Sequence, residues 1–200
     1  MHDAVFAEFA RLTATLPPPR RVLEVGIARD AKPLLDLPAL QGAECLGLGL
    51  DPPSSHPRAR LVTCNAHDLG AWQDESFDLV LCNSMLEHDP EFWRSLSEMR
   101  RLVRPGGHIA LGVPGFGAMG IRRGGWRRRL AALALGVPVP ALRASSLTLG
   151  LHGYPDDHYR FSASAMTQVL LAGFEPVSLR QILSPPRLIG LGRKPEGPAA

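Results

Sequence analysis

Apolar side chains recur along this chain with two different periods, and the alternation between them outlines the fold. Val5, Phe6, Phe9, Leu12 and Leu16 fall at helical intervals and predict an amphipathic N-terminal helix that Pro17-Pro18-Pro19 ends. Apolar runs of strand length follow at Arg21–Ile27, Cys45–Leu50 and Arg60–Cys64. Between the first two, Ala31 to Leu40 reads as a short helix, with Pro33 near its start and Pro38 near its end. Phe77–Leu81 predicts a fourth strand, ending in polar Cys82-Asn83-Ser84. Asp89-Pro90-Glu91 then offers an N-cap, a proline at the first helical position and an acid in the first turn. Phe92, Leu96, Met99 and Val103 recur at helical spacing, and Arg100, Arg101 and Arg104 put positive charge at the negative end of the helix dipole. Pro105-Gly106-Gly107 predicts the stop, and His108–Val113 a fifth strand. A Gly- and Arg-rich excursion runs from Pro114 to about Arg160. Ser162 then caps a helix to Ala172, which Gly173 closes. Phe174–Leu183 and Arg187–Arg193 predict two last strands joined through Ser184-Pro185-Pro186. Strands alternating with helices predict an open α/β sheet with right-handed parallel crossovers.

Composition narrows the class. Two hundred residues with a net charge of +3 suit one domain with a sizeable core. The most apolar tract, Leu130 to Leu142, is interrupted by Gly136, Pro138 and Pro140 and is too short to span a bilayer. Nothing at the N-terminus resembles a signal peptide. Cys45, Cys64 and Cys82 are odd in number and set in apolar runs, so they read as buried reduced thiols, and a cytoplasmic location is expected. No G-x-G-x-x-G stands after the first strand, where a dinucleotide-binding fold carries it, and there is no P-loop lysine, which argues against a nicotinamide enzyme and a P-loop nucleotidase.

The segment FDLVLCNSMLEH, then a helix, then LVRPGGHIALGVP, resembles the second half of a class I S-adenosylmethionine-dependent methyltransferase of the small type-11 kind. Order and spacing both match. The resemblance implies a Rossmann-like doubly wound, mostly parallel seven-stranded sheet, with the last strand antiparallel and helices on both faces. It also implies one domain over 1–200: an N-terminal helix and proline linker (1–19), a cofactor-binding core (20–114), a lid or substrate insertion (115–160), and a C-terminal helix with a strand pair (161–194).

In open parallel sheets, ligands lie beyond the carboxyl ends of the strands at the topological switch point. The resemblance implies S-adenosyl-L-methionine there. Glu24 and Gly26 fit the family's acid and first glycine, which serve the methionine part, whereas Ala28 and Asp30 stand where further glycines are expected. Asp51, followed by Pro52, ends the second strand and is expected to accept both ribose hydroxyls. Asn65-Ala66 replaces the family's Asp-Ala; the Asn65 oxygen can still accept from the adenine amino group, and an Asx turn is its alternative. Asn83 and Ser84 are expected to line the methyl site on the cofactor and acceptor sides respectively.

Methyl transfer to a hydroxyl also needs a proton acceptor, and His88 of Leu86-Glu87-His88 is the candidate base; packing at the helix entry is its other reading. His152, Tyr154, His158, Tyr159 and Arg160 form the second polar concentration and are expected at the rim of the acceptor pocket. Their spacing does not suit a metal. Arg122, Arg123 and Arg127 to Arg129 around Trp126 read first as the solvated flank of a lid helix. Functionally, they suit an anionic or lipid-linked acceptor, or peripheral contact with a membrane. Five arginines without an aromatic ladder weigh against nucleic acid. The expected activity is methyl transfer to a small-molecule acceptor at oxygen. The altered glycine loop sets against it a non-catalytic binding or partner subunit on the same fold.

Overall fold

The computed structural model describes residues 1–116, 156–183 and 186–197. The predicted Arg122–Arg129 segment, His152 and Tyr154 lie outside these. Helix α1 spans Asp3–Thr13 and buries Val5, Phe9 and Leu12. Strand β1 is Arg21–Val25, β2 Glu44–Gly49, β3 Ala59–Thr63 and β4 Phe77–Asn83. Helix α2 is Phe92–Leu102 and β5 is Val103–Pro114. Helix α3 starts at Ala163–Ala165 and widens into a π-turn over Met166–Leu170; β6 is Glu175–Leu183 and β7 Pro186–Arg193. The seven strands form one sheet in the order β3-β2-β1-β4-β5-β7-β6. β1 to β5 run parallel, and β7 is antiparallel to both neighbours. This is the Rossmann-like class that the resemblance implied.

Alternation along the strands builds the two faces. Leu23, Val25, Val80, Cys82, Ile109 and Leu111 pack with Leu96, Met99 and Leu102 of α2 and with Met166 and Leu170 of α3. Val22, Leu79, Leu81, Ala110 and Ile189 pack instead with Phe9 of α1 and with Leu34, Leu35 and Leu40. Among the described residues, helices and 3₁₀ turns therefore lie against both faces.

Three expectations are corrected. Ala31–Leu40 forms no α-helix but two 3₁₀ turns, Leu34–Asp36 and Pro38–Leu40. Pro33 and Pro38 interrupt the hydrogen-bond ladder, and the Glu24 carboxylate takes the Leu34 and Leu35 amides at 3.0 and 3.1 Å. The cap of α2 is Glu91, without a side-chain bond; Asp89, two residues earlier, takes the Glu91 amide and the Ser95 hydroxyl and also meets His67. β5 begins at Val103, five residues before His108, since Lys194 pairs with the Pro-Gly-Gly segment: Gly106 N–H donates to the Lys194 carbonyl at 2.9 Å, and Lys194 N–H to that of Gly107 at 2.8 Å. Gly106 has φ +71°, a left-handed turn that only glycine makes cheaply. Cys45 and Cys82 are buried free thiols, while Cys64 is only half-buried.

Candidate cofactor site

The carboxyl ends of β3, β2, β1 and β4 lie side by side, and chain order reverses between β1 and β4, so the switch point falls at Val25–Gly26 and Asn83–Ser84. Gly26 turns the chain off β1 with φ +88°; a Cβ there would stand 2.5 Å from Met85 Cβ, in the loop after β4. The amides of Gly26 and Ile27 both donate to the Leu48 carbonyl, at 2.8 and 3.0 Å, so the loop after β1 lies across the end of β2. Ala28 is half-buried within that loop, and Arg29 and Asp30 are exposed.

Asp51 is exposed just beyond β2 and accepts from the Arg29 guanidinium at 2.6 Å. At such exposure water screens the pair, so a ribose can compete for the carboxylate. Leu50, 76 % exposed, and half-buried Pro52 flank it with apolar surface. Asn65 is exposed beyond β3 and its side-chain oxygen accepts the His67 amide at 2.9 Å, which is the Asx turn of its alternative reading; Ala66 is half-buried. Asn83 ends β4 with its Oδ1 buried and unbonded, while its Nδ2 meets the Met1 sulfur at 3.5 Å. Ser84 holds φ +56°, an uncommon backbone for a residue with a side chain, and donates its amide to the Gly112 carbonyl.

Glu24 behaves differently from its neighbours. It is buried, and its two oxygens are spent on the amides of Leu34 and Leu35, so its charge shapes the loop from within. Desolvation outweighs those two donors and raises its pKa from 4.5 to about 7. Because the folded-state value is raised, the resulting stability is complete below about pH 4.5 and is lost as pH climbs through 7. Urea denaturation of the parent is expected to show falling stability between pH 5 and 8, by on the order of 3 kcal/mol at most. Glu24→Gln should flatten that slope; a parent without the slope would refute the assignment.

On the acceptor side, the backbone carbonyl of Glu87 accepts the amides of His158 and Tyr159 at 2.8 and 3.3 Å, which draws the returning chain onto the end of β4. The Glu87 carboxylate pairs with Arg187 of β7 at 2.9 Å and lies 4.0 Å from His88 Nε2. Arg160 is paired with Asp157. Tyr159 stacks edge-on against Phe92 and donates its hydroxyl to the Pro90 carbonyl at 2.7 Å. His158 is exposed. The structure thus gathers Gly26, Ala28, Asp51, Asn65, Ala66 and Asn83 at one end of the sheet, turns Glu24 inward, and gives Tyr159 and Arg160 protein partners of their own. Sequence reasoning missed Arg29 on Asp51, the apolar surface of Leu50, the His67–Asp89 pair and the Glu87–Arg187 pair. Exposed Leu50 beside an acid was the one local signal; the pairings join residues too far apart to leave any.

Sheet order and switch point, with the exposed acid after β2, match the Rossmann-like methyltransferase fold. Comparison with known proteins agrees. Residues 26–111 match the family model described as a methyltransferase domain. It is 32 % identical to a malonyl-[acyl-carrier protein] O-methyltransferase of Methylococcus capsulatus, over 56 % of this chain and 43 % of that protein. It is 35 % identical to a ubiquinone biosynthesis O-methyltransferase of Xanthomonas oryzae, over 46 % of this chain and 34 % of that protein. The chain therefore spans less than half the length of these curated relatives. A crystal structure of a 1,6-didemethyltoxoflavin-N1-methyltransferase from Burkholderia thailandensis, with S-adenosylhomocysteine bound, superposes with a TM-score of 0.64 at 19 % identity, covering 97 % of this chain and 80 % of that one.

Proposed function

We propose that this protein transfers a methyl group from S-adenosylmethionine to an oxygen of a small-molecule acceptor. The observation that carries the reading is the exposed Asp51 carboxylate beside Leu50 at the end of β2, next to the switch point. An acid for paired hydroxyls beside apolar surface for a base is the chemistry an adenosine requires. The residues present fit the group. Asp51 would hold the ribose, Asn65, Ala66 and Pro52 the adenine, and the loop of Gly26 and Ala28 the amino-acid part. Asn83, at the end of β4, has a buried oxygen without a hydrogen bond.

When bound, the cofactor supplies an electrophilic methyl group, and the protein's task is alignment. Asn83 and Ser84 flank the acceptor's approach at the end of β4. A hydroxyl acceptor must lose its proton, and His88, five residues beyond Asn83 in the loop that leaves β4, is the candidate acceptor, its ring beside Glu87. Both curated relatives are named for methylation at oxygen, which supports the same atom here. An anionic or lipid-linked acceptor matches the arginine-rich sequence at 122–129.

Calorimetry with S-adenosylmethionine and S-adenosylhomocysteine tests the reading. Micromolar-range binding is expected, and Asp51→Ala should weaken it about 10- to 100-fold, the value of hydrogen bonds to a charged group. No heat from either ligand with the parent protein would overturn the proposal.

A further inference from the structure

We propose that His67, through its bond to Asp89, is a positioning residue for the adenosine half of the cofactor. It closes the rim of the cleft by tying the loop that leaves β3 to the loop that leaves β4. The inference rests on the methyltransferase reading and adds to it a residue pair that the reading does not use.

Two strands, β2 and β1, separate β3 from β4. At the usual strand spacing their ends stand about 14 Å apart. The loops beyond them nevertheless meet: His67 Nε2 lies 2.8 and 2.9 Å from the two oxygens of Asp89. An ionised carboxylate only accepts, so Nε2 carries the proton and donates. Asp89 is bonded further on both oxygens, taking the Glu91 amide at 2.9 Å and the Ser95 hydroxyl at 2.6 Å. On the other side, the His67 amide is the donor that holds the Asn65 side-chain oxygen. Asn65, His67, Asp89 and Ser95 are therefore one hydrogen-bonded chain that runs from the expected adenine partner to the first turns of α2. With side chains only 17 % and 10 % exposed, His67 and Asp89 are poorly screened by water, unlike the pair on Asp51.

The bond is not needed to hold this segment to the fold. Just below it, Glu98 of α2 accepts the Leu69 amide at 2.9 Å, and Arg101 donates to the carbonyls of Leu69 and Trp72, both at 3.0 Å. Those contacts, together with buried Leu69, anchor residues 69–72 to α2 independently. What His67 adds lies at the carboxyl end alone: it sets where Asn65 and Ala66 stand relative to the β4 exit. A wall fixed before the ligand arrives spares the ordering cost at binding.

The test uses the full chain, with S-adenosylhomocysteine and the fragment 5′-methylthioadenosine as calorimetric probes and a melting curve beside each. His67→Ala is expected to bind both probes about tenfold more weakly, because the effect falls on the half they share. His67→Gln, whose amide N–H can still donate to Asp89, should recover affinity to within about threefold. Asp89→Asn provides the same test from the other partner if His67→Ala fails to fold. Equal binding of both probes by parent and His67→Ala, with or without a lower melting temperature, would overturn this assignment and leave the methyltransferase reading standing. A parent protein silent to both probes would instead overturn the reading and the assignment together.

Discussion

Arg187→Met is expected to lower stability by about 3–5 kcal/mol, the cost of stranding one charge of a buried pair. Arg187 Nη1 lies 2.9 Å from Glu87 Oε1, with side chains 6 % and 0 % exposed, so water cannot take over the lost partner. The other Glu87 oxygen is already buried without a hydrogen bond, and His88 Nε2 stands off at 4.0 Å, so Arg187 is the one guanidinium bonded to the carboxylate among the described residues. For a chain of this length the loss corresponds to a fall of roughly 10 °C in melting temperature. The double variant Glu87→Leu/Arg187→Met should regain most of it, because a buried ion pair contributes little over well-packed apolar groups. Calorimetric melting of the three proteins checks this; a single variant within about 1 kcal/mol of the parent would refute the argument. The consequence reaches the site, since Glu87 also seats His158 and Tyr159 through its carbonyl.

Gly49→Ala is the second large effect, and it acts on the cofactor loop directly. A Cβ on Gly49 would stand 2.1 Å from the Ile27 carbonyl oxygen and 3.1 Å from its carbon. No rotamer change relieves a backbone contact, so the loop after β1 must lift off β2. Its anchors are the bonds of the Gly26 and Ile27 amides to the Leu48 carbonyl, and lifting stretches both. We expect about 2–3 kcal/mol of lost stability, seen as a melting temperature roughly 6 °C lower. Binding of S-adenosylhomocysteine should fall further than stability alone explains, because Gly26, Ala28 and Arg29 shift together. A variant that melts and binds like the parent would show that the loop tolerates the displacement.

Short-range chemistry made much of this architecture legible before any coordinates. Helix α1 follows from Val5, Phe9 and Leu12 at helical spacing and the prolines after Leu16, and β4 and α2 from an apolar run followed by Phe92, Leu96 and Met99. The positions of Asp51 and Asn65 beyond β2 and β3 were legible for the same reason, since strand ends are marked by the first polar residue after an apolar run. Other features depended on groups remote in the chain. Asp89-Pro90-Glu91 is a fair N-cap in isolation, but α2 starts only at Phe92, and the Asp89 carboxylate is shared between the Glu91 amide, the Ser95 hydroxyl and His67, 22 residues earlier. Glu24 reads as a ligand for the cofactor's ammonium until two amides ten and eleven residues on are found to occupy it.

Periodicity, breakers and strand-end acids are properties of neighbouring residues, so the chain alone determined its class, most of its elements and the end of the sheet where a ligand belongs. Which side chains meet there depends on how strands stack and loops cross. Only the folded molecule could decide that Arg29 shares Asp51, that Arg187 neutralises Glu87 across a separation of 100 residues, and that His67 bridges two strand ends. Pairing of charges at a distance costs the chain nothing locally and leaves no local trace, and the geometry of the candidate site consists largely of such pairings.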